Sequence, residues 1–509
     1  MSQEPRQEQQ QGPAVRRATV DVVLEARVRR WTVEAEAPRP TLLESAVVAA
    51  DEPTDDPSPL RVIHGLPLRI AVLSTPEATI EGALRRAVLA SGSELALLLR
   101  SNDPRSFVER AEALRAAAPD LVLVLVGERR DADGAVELVE ALRAGCAGRT
   151  PAPRVVVAGD ARAAIRLKHS AAGLAVELLP DPQRPEGITA FAHRAREFRR
   201  GTRTGAVLRD EALEELARLI ASSGTEALVV DISGGSTSVV RGRPDGSVVA
   251  AHIARLGAGS GADRTVVRAG LDGVRRWIPW GIDGPTLLER VFNRARWPDA
   301  VPAEASALAL EVALAHEALA HVIAEAAAAG LGGLLREAPL TVVTGTAASF
   351  GRAAHTALVA IDGLSSTVPT TLYRDREEAL VALGAMSARA RAKGDDPSAA
   401  VAPEVSRLLA PLAFVVPVTP ARRSRLRVDG TDMTAEPLGP GAFFSVPHDG
   451  AAHVEITGTA IDVRGTSGAL GIIIDARGRP LPLPPRDAER IPTIVRWFAA
   501  LDLAVASSG

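Results

Sequence analysis

The residues best suited to chemistry lie in one short stretch, Asp231-Ile232-Ser233-Gly234-Gly235-Ser236-Thr237. An acid closes a buried apolar run, two glycines follow, and hydroxyls flank them. Glycines let backbone N–H groups approach a phosphate with no Cβ in the way. The hydroxyls of Ser236 and Thr237 can add donors, and Asp231 can hold magnesium through a water. The same residues equally suit an ordinary Gly-Gly hairpin with solubilising serines, so the stretch alone leaves both readings open. Two more turns carry glycine. Gly257-Ala258-Gly259-Ser260-Gly261 opens a helical stretch, and Gly345-Thr346 follows the apolar run TVV. Asp231, Ser233, Gly234, Gly235, Ser236 and Thr237 are thus candidate phosphate-binding residues, and Asp231 is the candidate metal residue.

Three strands must position the first of these turns. Ala227 to Ile232, Thr237 to Arg241 and Ser247 to Arg255 are apolar runs separated by turn residues, and Asp245-Gly246 is a strong hairpin signal. Helical patterns follow over 263–277, 285–294 and the Ala-rich 303–329. Upstream, from Pro67, short apolar runs (RIAVL, ELALLL, DLVLVLV, RVVVAG, LAVELL) alternate with amphipathic stretches. That alternation predicts a mostly parallel sheet covered on both faces. Residues 18–36 partly alternate apolar and polar and favour strand. After Gly394, strands return between turn residues, and Arg486 to Ala500 reads as a terminal helix. The expected fold class is therefore α/β, with a small C-terminal β domain. The expected segments are a disordered tail over 1–17, an N-terminal α/β domain over 18–205, a lobe over 206–393 and a β-rich domain with its terminal helix over 394–509.

Composition closes several alternatives. With 509 residues the chain exceeds one hydrophobic core. The formal net charge of −3 offers no bulk attraction for nucleic acid. Lys168 and Lys393 are the two lysines against abundant arginine, a bias of the kind a GC-rich genome produces. The single Cys146 excludes a disulfide within the chain and a cysteine-based zinc site. The histidines show no HExxH spacing, and His316 and His321 lack carboxylates at ligand spacing. Trp277 and Trp280 flank Pro279 and suit core packing better than a partner surface. The N-terminus has no apolar h-region, and no run of eighteen apolar residues occurs, so the expected location is cytoplasmic, with no membrane contact.

The strand–turn order around Asp231 resembles the second half of the actin-like (ribonuclease H-like) ATPase fold. In that fold a DxGGGT-type hairpin is the second phosphate loop. Within this superfamily the chain resembles the MutL-type accessory proteins of glutamate mutase, which are unrelated to the mismatch-repair protein of similar name. The resemblance rests on DISGGSTSVV, LDGVRRWIPWG, TGTAASFGRA, IDGLSSTVPTTLYRD, RVVVAGD and LGIIIDARGRPLPLP. It covers residues 67–390 and, more thinly, the tail. It implies actin-like ATPase lobes, ATP or ADP with magnesium as the ligand, a nucleotide site at Asp231, Ser233, Gly234, Gly235, Ser236, Thr237, Gly257, Gly259, Gly261, Gly345 and Thr346, and a protein partner, an adenosylcobalamin-dependent mutase.

The chain departs from that pattern at the first phosphate loop. The matching place, near Asp21, reads Asp21-Val22-Val23-Leu24-Glu25-Ala26-Arg27, without glycine or hydroxyl. A second glycine-rich segment is replaced by Val126-Gly127-Glu128-Arg129-Arg130-Asp131-Ala132-Asp133-Gly134. Positioning a γ-phosphate needs donors from both sides. The expectation is therefore a divergent scaffold or chaperone-like partner protein, with weak nucleotide binding or none and no efficient hydrolysis. An active ATPase that reactivates a mutase and a structural assembly subunit are the alternatives.

Overall fold

The computed structural model describes residues 17–503, apart from 25–26, 37–38, 50, 53, 55, 57–58, 76–79, 127–131, 160–164, 166, 168–174, 181–183, 204, 350, 422–423 and 435–436. Of the tail expected over 1–17, residues 1–16 lie outside the described residues, and Arg17 opens the first strand instead.

Strands β1 (Arg17–Val23), β2 (Arg27–Glu36), β3 (Arg39–Ala49) and β4 (Leu60–Ile63) come first. The first three form an antiparallel meander, and β4 lies parallel to β1. The chain then leaves for a second sheet. It holds β5 (Arg69–Ser74), β6 (Glu94–Arg100), β7 (Leu121–Val126), β8 (Arg154–Gly159) and β9 (Val176–Leu179). All are parallel, in the order β6-β5-β7-β8-β9. Helices α1 (Ile80–Ala90), α2 (Phe107–Ala117), α3 (Ala132–Gly145) and α4 (Pro185–Arg200) cover it. Its faces bury two separate apolar cores, as near-continuous Val and Leu runs require. The chain then returns, and β10 (Val207–Leu208) pairs with β4. The first sheet thus reads β10-β4-β1-β2-β3.

The next segment repeats that plan. Strands β11 (Ala227–Ile232), β12 (Ser236–Gly242) and β13 (Val248–Ala254) form three consecutive antiparallel strands, as their turn signals predict. β14 (Leu340–Thr344) and β15 (Thr370–Arg374) follow in parallel, giving β13-β12-β11-β14-β15. Both sheets therefore have the order 3-2-1-4-5, with the first three strands antiparallel and the last two parallel. This is the ribonuclease H-like lobe, present twice. The first lobe is smaller than the sequence suggests. It is β1–β4 with β10, and the five-stranded parallel unit is an insertion between its fourth and fifth strands.

Helix α5 (Arg209–Ala221) follows β10. Helices α6 (Ala262–Arg275), α7 (Gly284–Arg296) and α8 (Ala305–Ala328) lie between β13 and β14. Short α9 (Thr346–Ser349) and α10 (Ala353–Leu364) follow β14, and α11 (Ala379–Ala392) follows β15. α8 is long and apolar enough to cross a bilayer, yet most of it is buried inside the protein. α5 and α11 occupy corresponding places in the two lobes and pack on each other between the two sheets. A Cβ on Gly384 would lie 2.2 Å from the Ala212 carbonyl oxygen, so glycine is what lets these helices approach. Val22, Trp31 and Val62 of one lobe and Val229 and Val342 of the other share their apolar core.

α12 (Ser398–Leu408) precedes strands β16 (Pro411–Pro417), β17 (Leu426–Val428), β18 (Thr431–Asp432), β19 (Phe443–Val446), β20 (Gly450–Ile456), β21 (Ile461–Ser467) and β22 (Ile472–Asp475). They fall in two sheets. β16, β22 and β19 extend the second lobe's sheet to eight strands. β18-β17-β20-β21 form a small sheet that shares a core with β16, β19 and β22. α13 (Asp487–Ala499) returns Trp497 and Phe498 to the second lobe's core.

Candidate phosphate site

The three glycine turns do converge. The Gly257–Gly261 turn lies against the 233–235 hairpin: a Cβ on Gly257 would be 2.4 Å from the Ser233 and Gly234 carbonyl oxygens, and one on Gly259 would be 2.8 Å from Gly234 Cα. Gly345, at φ +78°, lies so close that a Cβ would be 2.4 Å from Asp231 Oδ1. Thr346 stands beside it at the start of α9. Close packing within the protein accounts for these glycines. The amides of the 257–261 turn face protein, since Ala258, Gly259 and Gly261 donate to the carbonyls of Ser233 and Gly234. The hydroxyls are also engaged. Thr237 Oγ1 donates to the Leu256 carbonyl at 2.8 Å, Ser236 Oγ meets His64 Nδ1 at 3.1 Å, and Ser233 Oγ donates to Asp231 at 3.0 Å.

Asp231 is fully buried. Arg209 donates to both its oxygens, Nε to Oδ2 at 2.9 Å and Nη2 to Oδ1 at 2.8 Å. The third guanidinium nitrogen donates to Glu378 at 2.8 Å. Arg209 opens α5, where the helix dipole disfavours a cation. Burial works against its charge as well, yet the carboxylates of Asp231 and Glu378 hold its pKa well above the ordinary value. Glu378 caps α11 at φ 58°, a left-handed conformation that costs a non-glycine residue about 1–3 kcal/mol. Asp375, just after β15, completes the group. It accepts from Thr344 Oγ1 at 3.0 Å. Burial, and then the charge of Glu378, push its pKa up to about 7. A guanidinium thus binds both oxygens of Asp231.

Arg209 comes from the first lobe, whereas Asp231 and Glu378 come from the second. The pair therefore ties the lobes together. Trp31 Nε1 to the Glu377 carbonyl at 3.3 Å, Ser45 Oγ to Glu377 at 2.9 Å and Ser387 Oγ to Glu215 at 2.9 Å add further ties. His64 reaches across from the end of β4. Burial, and then the positive charge of Arg209, lower its pKa to about 4, so it is neutral at pH 7.

The first lobe's hairpin lacks the counterpart of Asp231, and its register refines the sequence comparison. β1 and β2 last pair at Val23↔Val28, and β11 and β12 at Ile232↔Thr237. Both enclose four residues, which sets Val22 against Asp231 and Asp21 against Val230. Asp21 therefore projects from the opposite face, where Arg30 binds it at 2.9 and 3.1 Å. The Val126–Gly134 segment falls mostly outside the described residues. Sequence reasoning missed Arg209, His64, Asp375 and Glu378. Arg209 and Glu378 are 169 positions apart, and no local spacing signals such a pair.

Two ribonuclease H-like lobes with crossing helices between them define an actin-like ATPase fold. No family model and no curated protein matches the chain. Among solved structures, an exopolyphosphatase from Cytophaga hutchinsonii is 10% identical over 56% of this chain and 61% of that one, with a TM-score of 0.16. The match thus spans less than two thirds of that protein. The PilM-PilN type IV pilus biogenesis complex is 14% identical over 73% and 98%, with a TM-score of 0.27. The PPX-GPPA enzyme of Aquifex aeolicus is 12% identical over 66% and 69%, at 0.19. At such scores the likeness adds nothing to the strand order, on which the fold assignment rests.

Proposed function

We propose that this protein is an actin-fold scaffold that engages a protein partner with its lobes fixed, and that it neither needs nor efficiently hydrolyses ATP. One observation carries the reading: Arg209 occupies both oxygens of Asp231, the acid that would hold magnesium. An internal cation from one lobe does permanently what Mg·nucleotide does transiently in an ATPase cleft, namely neutralise the acid and bridge the lobes. Val22, in place of an acid in the other hairpin, supports the same reading. The MutL-like motifs make an adenosylcobalamin-dependent mutase the partner to test first.

A second reading keeps a weak nucleotide site at Ser233 to Thr237. It is favoured by His64 Nε2, which is buried beside Ser236 without a partner. Calorimetric titration with Mg·ATP and steady-state phosphate release separate the two. The scaffold reading expects turnover below about 10⁻³ s⁻¹, under the usual range of catalysed phosphoryl transfer. Turnover on the order of one per second, abolished by Asp231→Ala, overturns it. Saturable nucleotide binding without turnover, lost in Gly235→Val, establishes the second reading instead.

A further inference from the structure

We propose a divalent transition-metal site, fitted to Zn²⁺, on the outer face of the small C-terminal sheet. It is formed by His453, Glu455 and Asp462, far in sequence from the candidate phosphate site.

The strand geometry assembles it. In β20, Ala452, Val454 and Ile456 point into the core. His453 and Glu455 therefore share the opposite face, two residues apart. In register, Glu455 faces Asp462 of β21, so the three side chains form a triangle across two strands. One ligand atom from each lies within 4.8 Å of the other two, and His453 Nε2 is already 2.5 Å from Asp462 Oδ1. Zinc bonds of about 2.0–2.2 Å to nitrogen and oxygen at tetrahedral angles set ligand atoms roughly 3.3–3.5 Å apart, inside the 4.8 Å span of the triangle, so the His453–Asp462 hydrogen bond must open slightly and side-chain rotation completes the site.

The position of His453 is set from behind. Its backbone N–H donates to Asp429 Oδ1 at 2.9 Å. Asp429 Oδ2 is bound by His448 Nε2 at 2.9 Å, and His448 Nδ1 meets the buried Ser467 at 2.6 Å. The turn before the ligand is thus pinned, as supporting shells pin metal ligands. Arg427 lies 3.5 Å from Glu455 and competes for it, but it also holds Asp432 at 3.1 Å and keeps that partner when Glu455 turns to the ion.

The donor set selects the ion. One imidazole with two carboxylates and an open position suits zinc, whereas magnesium and calcium prefer oxygen-only sets with more ligands. Two carboxylates and a neutral histidine also balance a divalent charge.

The test uses the full-length protein and ZnCl₂ alone, titrated by calorimetry against a competing chelator, with MgCl₂ as the control salt. The expected result is one zinc per chain in the micromolar range and no response to magnesium. His453→Ala and Asp462→Asn should each weaken binding more than about tenfold, since even supporting-shell losses cost that much. Both residues are at the surface, and thermal melts without metal should match wild type. Absence of micromolar binding overturns the proposal. So does binding that both variants retain, which would place the ion at the His193–Glu197 or His321–Glu325 pair instead.

Discussion

Arg209 is the residue on which the behaviour of this molecule turns. Replacing it with Met leaves Asp231 and Glu378 buried without a cation. The expected loss is about 3–5 kcal/mol of stability in urea unfolding. Adding Asp231→Asn to that variant should recover part of it, and a purely additive double mutant would contradict the pairing. Asp375 supplies a second test, because its folded pKa of about 7 lies above its ordinary 3.8. Its stabilising contribution is complete below about pH 4, where both states carry the proton. It is lost as pH rises through 7, by about 4 kcal/mol in all. Glu311, also raised to about 7 by burial, acts in the same direction. His64 and His355, both lowered to about 4, act in the opposite one, costing stability as pH falls below 6.5. The comparison that isolates Asp375 is therefore wild type against Asp375→Asn. The variant should gain on wild type between pH 4 and 7, and parallel pH profiles would refute the assignment.

At the scale of elements, the crossing of α5 and α11 depends on one glycine. Helix propensity alone predicts that Gly384→Ala stabilises α11 by about 1 kcal/mol. The 2.2 Å approach to the Ala212 carbonyl predicts the opposite sign. A lowered unfolding midpoint is expected, and a raised one would mean the helices do not pack this closely. Much of the element pattern is legible in the sequence. The three strands around Asp231 are marked by Gly-Gly and Asp-Gly turns, and Gly246 does take the left-handed conformation, at φ 80°. The parallel unit is equally plain, because Val- and Leu-rich runs alternate with helices. The first lobe is harder to see. Its hairpin lacks glycine, so no turn signal within residues 18–36 separates β1 from β2, and β3 carries no clear alternation. Its fifth strand is two residues long and arrives after the insertion. The ion network at the candidate site is hidden for the same reason: its members meet only when two lobes, distant in sequence, have docked.

The whole molecule is braced twice. The insertion grows from the first lobe, yet α1 rests on the second. Arg86 donates to the Ala329 carbonyl at 3.0 Å, and Glu94 pairs with Arg264 at 2.6 Å and Arg268 at 3.3 Å. Leu89 of α1 joins the second lobe's core. A body tied at Arg209 and clamped again by α1 is expected to hold its lobes fixed. Small-angle scattering should therefore give the same profile with and without Mg·ATP. A ligand-dependent contraction would show that the lobes still close. Glu94→Ala should loosen only the outer clamp, seen as faster amide exchange in α1 with β11 and β14 unchanged.

The place where the insertion leaves and re-enters also dictates an order of events at the ribosome. His64 and Arg199 are 135 positions apart, yet Arg199 donates to the His64 carbonyl at 2.7 Å, and Leu66 N–H donates to the Arg199 carbonyl at 2.8 Å. The emerging chain presents β1–β4 long before β10 exists. If the parallel unit condenses first, it draws the two ends together and replaces a loop of that length by a short one. That shortening is worth roughly 2–3 kcal/mol of closure entropy. The inserted unit then serves as the internal template on which the first lobe is finished. Destabilising its core at Leu123 should slow refolding of the whole chain more than an equally destabilising change in β3.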